Sequence, residues 1–143
     1  MRPDVKRTVR NTCIFSASIA VVLSPIPLAD EIVFFPLYGL MARQIGKHHS
    51  IAARSLPWKS IMTTVGGALA ARAVVNLSVA ALPGVSAAAN ATSAVFLTTL
   101  LGNYMDAICT DPTAPRAVSM QEILGSMRKQ IKERITAKSP AAP

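Results

Sequence analysis

At 143 residues the chain is long enough to bury a core of its own, yet 51% of it is hydrophobic and only 15% charged. An average soluble domain carries roughly 25% charged residues, so the polar surface of an ordinary soluble globule is missing. The 15 lysines and arginines outnumber the 7 acids for a net charge of +8, which favours anionic partners, and two cysteines cannot build the disulfide framework of a small secreted domain.

The first eleven residues carry Arg2, Lys6, Arg7 and Arg10 against a single acid, Asp4, and an apolar run from Cys13 follows. A signal peptide or an Arg-rich transit peptide would look similar. The run ends in Pro25-Ile26-Pro27 and Asp30-Glu31 without a small-residue cleavage site, so a retained cytoplasmic flank is expected.

Residues 12–24 read as a first helix, broken by Pro25 and Pro27, because proline lacks the amide donor and disfavours the helical region in the residue before it. A second helix is expected over 28–45, with Pro36 kinking it unless the helix starts there and Gly46 stopping it. Residues 47–57 form a basic connector with His48, His49 and Arg54. Trp58 opens a third helix, which Pro83-Gly84 ends. A fourth, over 85–109, has no charge before Asp106 and is long enough to cross a bilayer, making this second pair the stronger membrane candidate.

Small residues on the third helix (Gly66, Gly67, Ala70, Ala71) and on the fourth (Ala88, Ala91) predict a close backbone approach of the kind that packs helices in lipid. Alanine-rich packing in a soluble bundle would use the same residues. After a linker over 110–118, Ser119 and Glu122 have capping-box spacing, and Met120, Ile123, Leu124, Met127, Ile131 and Ile135 recur at helical intervals. Arg128, Lys129, Lys132 and Arg134 fill other positions, giving a basic amphipathic helix over 119–138 that docks on the bundle, on anionic lipid or on a protein partner. Residues 139–143 are a tail.

The expected fold is therefore all-α: a flank (1–11), a double helical-hairpin domain (12–109) and an amphipathic helix. The domain comprises hairpin one (12–45), a connector (46–57) and hairpin two (58–109). Placing the hairpin turns Pro25, Pro27, Pro83 and Gly84 on one side puts every lysine and arginine except Arg72 on the other, as the positive-inside rule requires of a membrane protein with cytoplasmic termini. Arg72 would then lie mid-helix, where it must face the bundle, toward Asn76, Asn90 or backbone carbonyls.

Chemistry-bearing constellations are sparse. Asp30-Glu31 are adjacent on a helix and point in different directions, so they read as helix-start acids matching the dipole. His48-His49 lacks further metal-ligand spacing and reads as loop histidines. Cys13 and Cys109 read as buried thiols, or as one redox pair. No phosphate loop or nucleophile elbow is present, so no enzyme, metal or cofactor is expected. Nucleic acid is a weak partner, because the few aromatics sit in apolar segments and offer no stacking platform among the cations. Anionic lipid headgroups, a protein or a second copy of the chain remain.

Ser24-Pro25-Ile26-Pro27-Leu28-Ala29-Asp30, Leu40-Met41-Ala42-Arg43-Gln44-Ile45-Gly46, Gly66-Gly67-Ala68-Leu69-Ala70-Ala71-Arg72, Leu82-Pro83-Gly84-Val85 and Leu101-Gly102-Asn103-Tyr104, in that order, resemble a bacterial domain of unknown function. That domain follows an Era-like GTPase domain or stands alone as a small membrane protein. The resemblance covers about 17–108 and implies a helical accessory domain of the bacterial inner membrane. No GTPase domain is present here, so it also implies a GTPase acting in trans. The rival expectation is a soluble, cytoplasmic helical interaction domain.

Overall fold

The computed structural model describes residues 1–23, 29–79, 86–111 and 125. These residues form four long helices, α1 (Pro3–Val22), α2 (Ala29–His48), α3 (Trp58–Val79) and α4 (Ser86–Thr110), with a single 3-10 turn at Ala53–Ser55 between α2 and α3. The all-α expectation holds. The turn residues Pro25, Pro27, Pro83 and Gly84 lie outside the described residues, and so does the expected amphipathic helix over 119–138 with Arg128, Lys129, Lys132 and Arg134, apart from helical, exposed Gly125.

Two helix ends differ from expectation. The basic flank is not separate: α1 begins at Pro3, where the missing amide costs nothing in the first turn, and Asp4 complements the dipole there,. Gly46 does not stop α2, which continues through Pro36 and Gly46 to His48. The stop is Ser50, at φ 60°. There the Ile51 amide donates to the Gly46 carbonyl (2.9 Å) and the Ser50 amide to that of Lys47 (3.0 Å), the bonding pattern of a Schellman cap with serine in glycine's usual place. Gly46 instead makes room for Leu56: a Cβ there would sit 2.9 Å from Leu56 Cδ2.

Side-chain contacts fix the helix directions. His48 at the end of α2 meets Arg2 and Thr8 at the start of α1. Arg72 in the second half of α3 meets Asp30 at the start of α2. On α4, Asn90 bonds the carbonyl of Ala20 and Thr98 bonds Ser16. Each helix is thus antiparallel to the one before it, and α4 is antiparallel to α1. α1 packs most extensively against α4, its neighbour in space but not in sequence, while α2 and α4 each touch all three other helices.

The core runs along this α2–α4 centre: Phe34, Tyr38, Met41 and Ile45 from α2 meet Leu97, Leu101, Met105 and Ile108 from α4, with Val5 and Val9 from α1 and Ile61, Val65 and Leu69 from α3. The tightest contact at a helical glycine is Val9 of α1 against Gly102 of α4, where a Cβ would meet Val9 Cγ1 at 3.0 Å and Cγ2 nearer still. Hydroxyls pin the same contact. Thr98 Oγ1 donates to the Ala94 carbonyl (2.7 Å) and shares hydrogen bonds with Ser16 Oγ (2.9 Å) and Tyr38 Oη (3.1 Å).

Candidate functional site

Arg72 is fully buried in an apolar stretch of α3, where an unpaired guanidinium would be prohibitive. α2 solves this from its first turn: Nη2 donates to Asp30 Oδ2 (2.7 Å) and Nη1 to Glu31 Oε1 (2.8 Å). Adjacent carboxylates cannot share one atom, but they can hold the two arms of a planar fork. α4 adds Ser93 Oγ, which accepts from Nε at 3.2 Å, and Asn90, whose Oδ1 and carbonyl both face Nη2. Asn90 Nδ2 then donates to the Ala20 carbonyl on α1 (3.0 Å) and to Asp30 Oδ2 (3.2 Å), and Asn76 Nδ2 donates to Asn90 Oδ1 (2.9 Å). The guanidinium lies over the Phe34 ring, 4.5 Å from its centroid. One network therefore ties all four helices together near the ends of α1 and α3 and the starts of α2 and α4. Among the described residues Glu31 Oε2 is buried without a partner.

The opposite end is polar. His49 Nε2 lies 2.9 Å from Asp106 Oδ1, and the N-terminal ammonium 3.7 Å from Asp106 Oδ2. His48 Nε2 pairs with Thr8 Oγ1 at 3.0 Å. The two histidines are thus helix-end clasps to α4 and α1 rather than solvated loop residues, and among the described residues no cluster of three metal-ligand side chains occurs. Trp58 donates from Nε1 to the Ala53 carbonyl at 2.6 Å, with the Arg43 guanidinium carbon 5.9 Å from its ring centroid. Cys13 and Cys109 are both free thiols. Burial, and after it the Asp106 carboxylate, pushes the Cys109 thiol up, which keeps it a protonated, unreactive small hydrophobe.

The surface divides along the bundle axis. Every exposed lysine or arginine among the described residues (Arg2, Lys6, Arg7, Arg10, Arg43, Lys47, Arg54, Lys59) lies at the end that holds the N-terminus and the connector. The exposed large apolar side chains, apart from Met1 and the mid-helix Leu40, lie toward the other end, and most belong to α1 and α2: Ile14, Phe15, Val21 and Val22, then Ile32, Val33 and Phe35. Among the described residues only α3, over Trp58–Leu77, is long and apolar enough to cross a membrane, and 39% of its most apolar window is buried. α4 is interrupted by the strongly polar Asn90, Asn103 and Asp106 and is not among the spans apolar enough to cross. Most of the outward large apolar side chains among the described residues are thus on the first helix pair, with Val74, Leu77 and Val95 on the second, while the apolar span itself lies on the second pair.

Of the expected helix-packing residues, Ala71 is fully buried, Ala91 half-buried, and Ala70 and Ala88 exposed. A Cβ at Gly66 or Gly67 would meet nothing within 4 Å. Close approach belongs to Gly102 instead, because the tight contact is α1 on α4. Asn90 is an Arg72 partner as expected, while Asn76 reaches Asn90 and not the guanidinium. Asp30 and Glu31, taken for dipole acids, are the missed partners. The signal was an arginine inside the apolar stretch of α3 and the one adjacent acid pair in the sequence. The chain has no match among protein-family models, curated proteins or solved structures. Its functional reading rests on its own chemistry.

Proposed function

We propose that the protein is a non-catalytic, membrane-associated helical bundle that serves as an accessory or scaffold, its apolar end in lipid and its basic end at anionic headgroups on the cytoplasmic side. The observation that supports this is the sorting of exposed side chains, with cations at one end and large apolar groups toward the other. A soluble bundle gains nothing from such sorting, whereas a bilayer rewards it at both levels. The buried ion network fits the same reading: it lets α3 carry Arg72 without presenting a charge to lipid.

Carbonate and detergent extraction of membranes from cells expressing the full chain tests the proposal. Retention in the carbonate pellet and release by detergent are expected. A monodisperse, detergent-free supernatant species would replace this reading with the soluble interaction domain. The bacterial inner membrane and a GTPase partner in trans rest on the family resemblance alone, and co-purification of a GTPase from detergent extracts would support the latter.

A further inference from the structure

We propose that α1 and α2 form a wedge that enters one leaflet of an anionic bilayer and does not cross it. The proposal rests on the membrane reading above and adds the face, the depth and the side of entry. Outward apolar side chains run from Ile14 to Val22 on α1 and from Ile32 to Leu40 on α2. At a rise of ~1.5 Å per residue each run is about 12 Å tall, against a hydrocarbon core of ~30 Å, or ~15 Å per leaflet. Among the described residues the strip is about as tall as one leaflet is deep.

Charge marks where it stops. Arg10 and Asn11 on α1, and Arg43 and Gln44 on α2, are exposed within about a turn of Ile14 and Leu40. Deeper entry would carry both guanidiniums into hydrocarbon. Withdrawal would leave Ile14, Phe15, Val22 and Ile32, which are 62%, 64%, 74% and 78% exposed, facing water. At the rim the two arginines meet the phosphates that a bilayer of anionic lipid supplies, and an apolar protein partner would have no use for that collar.

The test uses the full chain, freed of its own thiols by Cys13→Ser and Cys109→Ala and reconstituted into sealed vesicles of phosphatidylcholine and phosphatidylglycerol. Single cysteines replace Arg10, Val22 or Ile32. Val22→Cys and Ile32→Cys should react with an impermeant maleimide at least tenfold more slowly than Arg10→Cys from either side. Fluorophores placed there should be quenched best by nitroxides deep in the acyl chains. In the unmodified chain Trp58, the single tryptophan, provides a check that needs no variant, and headgroup-level nitroxides should quench it best. Reaction of Val22→Cys from the side opposite Arg10→Cys would overturn the proposal in favour of crossing. Protection without lipid quenching would overturn it in favour of a protein cover, from the C-terminal residues or a second copy, and deep quenching of Trp58 would overturn the placement of the rim. Loss of the chain from carbonate pellets removes the membrane reading itself. Retention in the pellet together with any of these contrary results removes only the wedge.

Discussion

Arg72 is the largest fully buried side chain among the described residues. Removing one partner of a buried ion pair leaves the other charge uncompensated and costs about 3–5 kcal/mol. Arg72→Leu should therefore lower the thermal midpoint sharply, since Asp30 is almost wholly buried and Glu31 largely so. Arg72→Leu combined with Asp30→Asn and Glu31→Gln should recover much of that loss in the same melts, because no net charge is then left buried. If the triple variant is as unstable as Arg72→Leu, the network acts through shape and not charge. Two tyrosines give an independent comparison. Tyr38 shares a buried hydrogen bond with Thr98, so Tyr38→Phe should cost about 1 kcal/mol, whereas the buried Tyr104 hydroxyl has no partner among the described residues, and Tyr104→Phe should be neutral or stabilising. Chemical unfolding of the two variants side by side reads the difference, and equal losses would contradict the assigned hydrogen bonding.

Among the elements, α1 and α4 pack most extensively, and Gly102 gives Val9 its room there. Gly102→Ala forces Val9 or the helix axes to move, an overpacking change of about 1–3 kcal/mol. Val9→Ala in the same chain should relieve part of it. Gly66→Ala and Gly67→Ala meet open space, so they should leave stability unchanged or raise it by up to ~1 kcal/mol through helix propensity. Melting curves of the four variants decide between packing at α1–α4 and the small-residue α3–α4 seam that spacing suggested. A loss at Gly66 or Gly67 only on membrane reconstitution would instead mean that α3 packs against a second copy in lipid.

For the whole molecule, the two-ended surface sets how binding should respond to salt. Headgroup attraction is screened within a Debye length of ~8 Å at physiological ionic strength and is worth about 1 kcal/mol per cation near the surface. Arg10→Gln with Arg43→Gln should weaken flotation with phosphatidylglycerol vesicles by roughly tenfold or more and flatten the salt dependence, while helical content by circular dichroism is unchanged. The basic C-terminal segment is tested the same way. Glutamine at Arg128, Lys129 and Lys132 should lower affinity at low salt if it lies on lipid. Unchanged binding would make that segment a brace or a protein contact.

Composition, periodicity and the sorting of charge along the chain determined that the protein is all-helical, that its ends differ in chemistry and that Arg72 needs a buried partner. These are properties of local sequence: helical spacing, proline breaks and the cost of an unpaired charge act on neighbouring residues and can be read without a fold. The tertiary structure decided the rest. That Asp30 and Glu31, some forty positions away, clasp Arg72 depends on how far α3 slides along α2. That Gly102 and not Gly66 marks the close contact depends on α1 choosing α4 as its main neighbour. Nearly uniform apolar helices carry no stripe to announce which face turns inward, so register and partner choice emerge only when buried polar groups from four helices must satisfy one another at once.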